Sequence, residues 1–406
     1  MYVRRSAAVL AAAFGIGAVA APLAQADSPS PSPSATLPAG LFGDSDPTYD
    51  GVWRQSLTLL ALDSSDIQTS GRAKDWLARQ QCDNGGFAAY RPDPRPDCDA
   101  KTVIDSNSTA AAVQALAAVG SYEAATEKAV GWLKSVQNKD GGWGYTPGGP
   151  SDTNSTAVVI GALGAAGEKP AEVRRDGKSP YDALLTLALP CDDGGAFAYQ
   201  PGKKGELVAN ADATAAGVLG ALGRGMVGGP GTAAEAGAGC TDADSPEQAA
   251  ANGAAWLNKS LAEDGHLLSV LPGAEDQPDY GNTADAVVAL AALGDTAQAR
   301  KSLTWLERNA SQWASESGPA AYAQLIFAAK AAGADPREFG GQDLVAQLSM
   351  TGPSAEGMQM TDTAIVKEEG EKKDDSPFDT WWYAGVFLVF GAGIGFLITR
   401  RKGKQR

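Results

Sequence analysis

Lys128–Pro147 reads KAVGWLKSVQNKDGGWGYTP: a helix runs out in a glutamine, a Gly-Gly turn follows, and an aromatic comes straight after the turn. Each part has a physical use. Gln137 can donate and accept locally, Gly141-Gly142 permit a sharp turn, and Trp143 offers a large area to bury. The same shape is spelled earlier as RAKDWLARQQCDNGGFAAY, Arg72–Tyr90. Worn copies follow, with Trp76-Leu77, Trp132-Leu133, Leu184-Leu185, Trp256-Leu257 and Trp305-Leu306 in matching places, and after them DNGGF, DGGW, DDGGAF and EDGHL. Self-similarity of this kind is the mark of a repeat architecture.

A second pattern is interleaved with the first. DSNSTAAAVQALAAVG (Asp105–Gly120), DTNSTAVVIGALGAAG (Asp152–Gly167), NADATAAGVLGALGRG (Asn210–Gly225) and DYGNTADAVVALAALG (Asp279–Gly294) are Ala-rich helices introduced by small polar residues. Asn, Ser and Asp cap exposed helix N–H groups, and Gly120, Gly167 and Gly294 stop the helices. Apolar residues fill nearly the whole circumference, so these helices are buried on more than one side. The first pattern is amphipathic, with one wet face. Alternation of the two describes concentric layers.

Six pairs are expected. The inner members are Asp50–Leu62, Asn107–Val119, Asn154–Ala166, Asp212–Gly223, Asn282–Leu293 and Gly318–Ala332, and the outer members begin near Gly71, Ala124, Ser179, Pro246, Thr296 and Arg337. An open solenoid needs polar caps at its ends, and the first and last pairs are not polar on an outer face. The expected fold is all-α, a closed α/α toroid of six inner and six outer helices.

The motif K-A-x2-W-L-x3-Q-x3-G-x-W, with Lys128, Ala129, Trp132, Leu133, Gln137, Gly141 and Trp143, resembles the QW repeat (prenyltransferase/squalene oxidase repeat) of squalene and hopene cyclases. Arg72–Phe87 matches it with Phe87 in the last place. The resemblance extends to the terpenoid cyclase/protein prenyltransferase α/α-toroid superfamily, and in character to its non-catalytic vitamin carriers of the intrinsic factor/transcobalamin type. It implies that Trp76, Gln80, Gln81, Phe87, Trp132, Gln137, Trp143, Trp256 and Trp305 are architectural, the glutamine tightening an outer helix against a neighbouring helix N-terminus.

Residues 1–26 read as a signal peptide, with Arg4-Arg5, a small-residue apolar run and the Ala24-Gln25-Ala26 cleavage pattern; Sec and twin-arginine export both stay open. Residues 27–41 are a Pro/Ser-rich linker. The toroid is assigned to 42–348, and 349–380 form a charged stalk. Residues 381–399 are uncharged and long enough to span a core of ~30 Å, with Trp381, Trp382 and Tyr383 at one edge and the basic tail 400–406 at the other. Basic flanks stay cytoplasmic. The expectation is a single-pass protein of a bacterial cell membrane with its body outside.

The chain carries a net charge of −15, and −22 without the seven cations of the signal and the tail. So acidic a surface repels phosphate backbones, which excludes nucleic acid as a partner. Four cysteines in an exported chain suggest two disulfides. Of the three pairings, Cys82–Cys98 and Cys191–Cys240 would each tie off one turn-loop of one repeat.

Catalytic signatures of the superfamily are missing. There is no D-x-D-D for alkene protonation, no D-D-x-x-D, no Asp/Cys/His zinc set and no Cys-Gly-Glu-Gln thioester. His266 is the one histidine, so no metal site is expected. Asp105, Asp152, Asp212, Asp279 and Asp285 fall near inner-helix starts, where capping explains most of them; Asp285, inside its helix, is the exception. A polar rim over an Ala-lined funnel suits a bulky polar ligand. Matched by position to the vitamin carriers, Asn107, Thr109, Asn154, Thr156, Asp212, Thr214, Asn282, Thr283 and Asp285 are the implied ligand contacts, with a cobalamin-like ligand and no required cofactor. Those carriers have a C-terminal β-rich lid that this chain lacks, so a lidding or importer membrane protein is the implied partner. The leading expectation is a non-catalytic capture protein. The alternatives are an extracellular terpenoid-cyclase-type or carbohydrate-active enzyme using rim carboxylates, and a structural protein-docking module.

Overall fold

Asp105, Asp152, Asn210 and Asp279 each turn a side-chain oxygen onto the backbone N–H three residues on, at Ser108, Ser155, Ala213 and Asn282. Each contact satisfies one orphan donor of a helix start and is worth about 1 kcal/mol. A computed structural model of the chain describes residues 37–229, 231, 240–269 and 276–353. In chain order the helices are α1 (Gly51–Ser64), α2 (Gly71–Arg79), α3 (Ser106–Val119), α4 (Glu123–Ser135), α5 (Thr153–Ala165), α6 (Pro180–Leu187), α7 (Ala211–Ala221), α8 (Pro246–Leu261), α9 (Tyr280–Leu293), α10 (Thr296–Asn309), α11 (Ser311–Ser317), α12 (Pro319–Ala331) and α13 (Leu344–Met350).

The inner layer is α1, α3, α5, α7, α9 and α12. Each packs on the next, and α12 returns to α1, which closes the ring. Every outer helix (α2, α4, α6, α8, α10, α13) lies against its own inner partner and the following one. The toroid is therefore closed. Small side chains make this possible: Ala110, Ala111, Ala112, Val113, Ala115 and Leu116 on α3 are all buried, so neighbouring backbones can approach from both sides. On α4 the buried residues Thr126, Ala129, Val130, Trp132 and Leu133 form a single stripe. Gly43 donates its N–H to Thr351 O, joining the two ends of the ring.

The inner boundaries fall within one or two residues of those expected. The sixth outer helix does not: it begins at Leu344 rather than near Arg337. Residues before it form a turn in which Gly340, at φ +56°, lies against the Glu307 carbonyl so closely that a Cβ would collide with it, and Asp343 then caps the helix. Helix α11 was not expected. Two short antiparallel ribbons, β1 (Phe87–Ala88) with β2 (Ile104–Asp105) and β3 (Leu267–Ser269) with β4 (Gln277–Asp279), sit at the turns.

The repeated turn is built as an inter-repeat joint. Gln81 donates from Nε2 to Gly85 O and to Ala125 O in the first turn of α4, at 2.9 and 2.8 Å. Gln137 does the same toward Gly141 O and Val173 O, at 2.8 and 3.2 Å. Both glutamines thus donate to carbonyls and leave helix N–H groups untouched. Gln80 serves its own loop instead, accepting from Arg91 N at 2.7 Å. Gly85 and Gly141, at φ +97° and +90°, press on the carbonyls of Lys128 and Ser179 of the next outer segment. Phe87 and Trp143 are buried, and the Trp143 indole donates to Leu133 O at 2.8 Å. Burying 150–250 Å² per aromatic contributes about 4–6 kcal/mol. Trp76 and Trp132 are buried with them, and Trp256 lies beside Gly194.

His266 stacks on Trp305 with centroids 4.0 Å apart, and Tyr280 and Trp313 extend the stack. It takes the place that glycine holds in the first two turns. Cys82 bonds Cys98 and Cys191 bonds Cys240, the pairing expected. The signal segment 1–26, most of the linker and stalk, the span 381–399 and the tail 400–406 lie outside the described residues; among the described residues no helix is long and apolar enough to cross a membrane.

Candidate functional site

The inner helices run in parallel around an axial cavity of about 270 Å³. Their first turns supply its mouth, through Asn107 on α3, Asn154 on α5, Asp212 on α7 and Asn282 on α9, with Tyr145 and Tyr199 arriving from the turns. Trp53, third residue of α1, stands in the first turn as well, and one turn deeper lie Asp285 and Gln324. Leu57, Leu219, Val288 and Phe327 follow, so the wall becomes apolar over roughly 10 Å at 1.5 Å per residue.

The floor is a strap that leaves α7. Met226 N donates to Gln114 Oε1 of α3 at 3.0 Å, and Gln114 Nε2 donates to Val158 O of α5 at 3.1 Å. Gly225 sits on Gly161 of α5: a Cβ at Gly161 would collide with Gly225, and one at Gly225 would run into the Gln114 side chain. Gly228 then meets Val288, and Gly231 N reaches Ala291 O on α9. The strap thus crosses the C-terminal end of the inner ring. Arg224, Gly225 and Met226 face the cavity from below.

Five of the nine residues implied as ligand contacts line this cavity: Asn107, Asn154, Asp212, Asn282 and Asp285. The other four do not. Thr109, Thr156, Thr214 and Thr283 are fully buried, and their hydroxyls accept the backbone N–H of Phe87, Trp143, Phe197 and Leu267 at 2.9–3.1 Å. Each threonine fastens the aromatic turn to an inner helix, so its place in the repeat is structural. Asp105 is likewise withdrawn as a buried cap, while Asp152 caps α5 and also touches the cavity.

The carboxylates are linked through amides. Asn154 Nδ2 donates to Asp212 Oδ2 at 2.6 Å, Asn282 Nδ2 to Asp279 Oδ2 at 2.8 Å, and Gln324 Nε2 to both Asp285 oxygens at 3.3 and 3.2 Å. Burial pushes Asp212 up to about 6 against the Asn154 hydrogen bond, with the Asp279 charge adding to the rise. Burial pushes Asp285 up to about 7, the Asp212 charge adding to it. Asp152 rises to about 6 for the same first reason, and burial raises Asp279 too. Among the described residues no group of three or more His, Cys, Asp or Glu is placed to hold a metal ion.

Sequence reasoning missed Tyr145, Tyr199, Gln324 and the strap. The tyrosines had a signal, since each stands two residues after the motif aromatic (Trp143, Phe197). The strap had one also, in the glycine-rich RGMVGGPG of Arg224–Gly231.

Residues 52–181 match the family model described as the prenyltransferase alpha-alpha toroid domain. Among solved structures, ent-copalyl diphosphate synthase from Streptomyces platensis is similar at 19% identity and TM-score 0.47, with 70% of this chain and 50% of that one covered. A protein from Actinoplanes is similar at 16% identity and TM-score 0.48, with 72% and 94% covered. The chain spans half the length of the synthase it matches. No curated protein matches the sequence. The match to the prenyltransferase alpha-alpha toroid domain model thus covers α1 to the start of α6, about a third of the chain, and is a likeness over those residues.

Proposed function

We propose that this protein is a non-catalytic binding protein that holds a small molecule in the axial cavity of its toroid and, through the C-terminal segment 381–399, presents it at a membrane. One observation carries the reading. Asn107 Oδ1, Asn154 Oδ1 and Trp53 Nε1 are buried on the cavity wall with no hydrogen-bond partner. Orphaned polar atoms cost about 1–3 kcal/mol each, and a cavity that keeps several is supported best as one completed by a ligand.

The size of the cavity restricts the ligand. A cobalamin-like cofactor, a macrocycle with a nucleotide tail, would seat across the mouth with its remaining contacts supplied by a lidding partner. Calorimetric titration of the purified chain with cobalamin tests that seat directly. Heat that disappears in Asn154→Ala and Asp285→Ala supports it, and no heat confines the occupant to molecules that enter the cavity.

A second reading is an enzyme, favoured by Asp285 alone. Burial raises this carboxyl to about 7, so it keeps part of its proton near neutrality, above an apolar lower wall, as proton donation to an alkene or a glycosidic oxygen requires. Turnover of an isoprenoid or oligosaccharide panel, lost in Asp285→Asn, would replace the binding reading. Docking of a protein at the mouth remains the third expectation, and pull-down with a Tyr145→Ala/Tyr199→Ala chain as control tests it.

A further inference from the structure

We propose that the occupant of the axial cavity is a small organic cation, an ammonium or amidinium on an apolar body, seated with its charge between Asp212 and Asp285. This rests on the reading of the cavity as a binding site and names the class of ligand.

Around the carboxylates the amides leave acceptors to spare. Asn154, Asn282 and Gln324 each direct their amide nitrogen at a carboxylate, Asp212, Asp279 and Asp285 respectively. Those contacts fix which way each amide faces. Asn154 Oδ1 is left buried without a partner, as is Asn107 Oδ1. Gln324 is 6% exposed, and its Oε1 accepts no hydrogen bond among the described residues. Amide oxygens and carboxylates thus converge on one space. An anion placed between Asp212 and Asp285 would meet their carboxylates beside these amide oxygens; a group with several N–H bonds would satisfy them.

The charges agree. None of the ion pairs among the described residues includes Asp152, Asp212, Asp279 or Asp285. Arg224, the cation that touches the cavity, is itself exposed and stands on the strap at the floor, away from the mouth. The titratable groups around the site are these four carboxyls, Arg224, Tyr145 and Tyr199, from α7, α9, the caps of α5 and α9, two turns and the strap.

The lower wall selects against a bare ion. Leu57, Leu219, Met226, Val288 and Phe327 give an inorganic cation nothing to coordinate, whereas they fit a hydrocarbon body. Trp53 and the mouth tyrosines present ring systems on which an organic cation is favourable. The unpartnered Trp53 Nε1–H leaves a place for one acceptor on that body.

Protonation of the empty site follows from the same arrangement. Without a counter-charge, burial keeps Asp212 and Asp285 partly protonated near neutrality. A cation lowers both, so binding releases protons and tightens as pH rises.

The test uses benzylammonium, benzyl alcohol and benzoate as probes of one shape and three charges, titrated into the full purified chain with ligand-observed NMR as readout. Benzylammonium is expected to bind at least about tenfold more tightly than benzyl alcohol, with benzoate excluded. Asp212→Asn and Asp285→Asn each weaken benzylammonium by about tenfold or more, with unchanged helical circular dichroism. Affinity for it rises several-fold from about pH 5 to about pH 8. Benzyl alcohol or benzoate binding as tightly as benzylammonium, displaced by the same substitutions, overturns the cation while leaving the cavity a binding site. Failure of all three probes to bind counts against the binding reading itself, and the cation falls with it.

Discussion

Asn154 and Asp212, 58 positions apart in the chain, meet across the mouth of the toroid in a 2.6 Å hydrogen bond. They are the second residues of α5 and α7, so the repeat has set an amide in one copy against a carboxylate in the next. Asp285 on α9 is held the same way by Gln324 on α12. The polar mouth is therefore a set of contacts between neighbouring repeats.

The first prediction concerns coupling between these pairs. The Asp212 charge is one of the causes that raise Asp285, so Asp212→Asn lowers the Asp285 pKa from about 7. Asn154→Ala removes the contact that holds Asp212 down, and the Asp212 pKa rises above about 6. Carboxyl ¹³C shifts followed through a pH titration read both. An Asp285 midpoint indifferent to Asp212→Asn would show that the two sites do not sense each other.

The same carboxyls make stability depend on pH, and the sign is set by the direction of their shifts. Asp105, Asp152, Asp212 and Asp285 all rise from the ordinary 3.8, to about 7, 6, 6 and 7. The folded state then holds more protons than the unfolded one between those values. Their contribution is fully present below the ordinary value and is lost as pH climbs through 6 to 7. Asp105→Asn keeps the cap, since Asn caps as well as Asp, and removes a buried charge. It raises the Tm by about 2–4 °C at about pH 8, corresponding to about 1 kcal/mol. Near pH 4, where the carboxyl is already neutral, it changes little. Thermal melts at the two pH values decide it; equal shifts at both would assign the effect to the cap.

Much of the fold was legible because it rests on periodicity. The six inner helices and five outer starts follow from Ala-rich and Trp-Leu spacing, with caps at Asp105 and Asp152 to mark the boundaries, and both disulfides from cysteines that each tie off one turn-loop. The site was legible only in part. A Thr at the fifth position from a cap looks the same in sequence whether it faces the axis or the turn. Thr109 and Asn107 are two residues apart, and on a helix that is about 200° of rotation, enough to send one into the core and leave the other at the mouth. Gln324 belongs to the one inner helix with no polar introduction, and its value depends on Asp285, 39 residues away. The strap depends on where Gly225 lands, against Gly161 of another repeat. No local pattern encodes such a meeting.

The threonine assignment is tested at Thr156. Thr156→Val is isosteric but leaves the Trp143 N–H, which is buried and donates to this hydroxyl at 3.1 Å, without an acceptor. The loss is about 1–3 kcal/mol in urea unfolding. Thr156→Ser keeps the oxygen and should cost under about 1 kcal/mol. Equal losses in the two variants would point to the methyl group and its packing.

The last prediction separates the turn's backbone from its composition. Gly141 and Gly148 both have positive φ, +90° and +78°. A Cβ at Gly141 would run into the Ser179 carbonyl, the cap residue of α6, whereas nothing lies within 4 Å of one at Gly148. Gly148→Ala therefore meets only the left-handed penalty of roughly 1–2 kcal/mol. Gly141→Ala must in addition push α6 away from the turn, which stretches the Gln137 contact to Val173 and opens the buried face under Trp143. Its cost should exceed that of Gly148→Ala by at least about 2 kcal/mol. Denaturant unfolding of the two variants measures the difference, and hydrogen exchange shows where it falls. Faster exchange across α6 in Gly141→Ala alone is expected if the repeated turn joins one hairpin to the next. Equal losses, with exchange confined to residues around 141, would make the turn a feature of its own loop only.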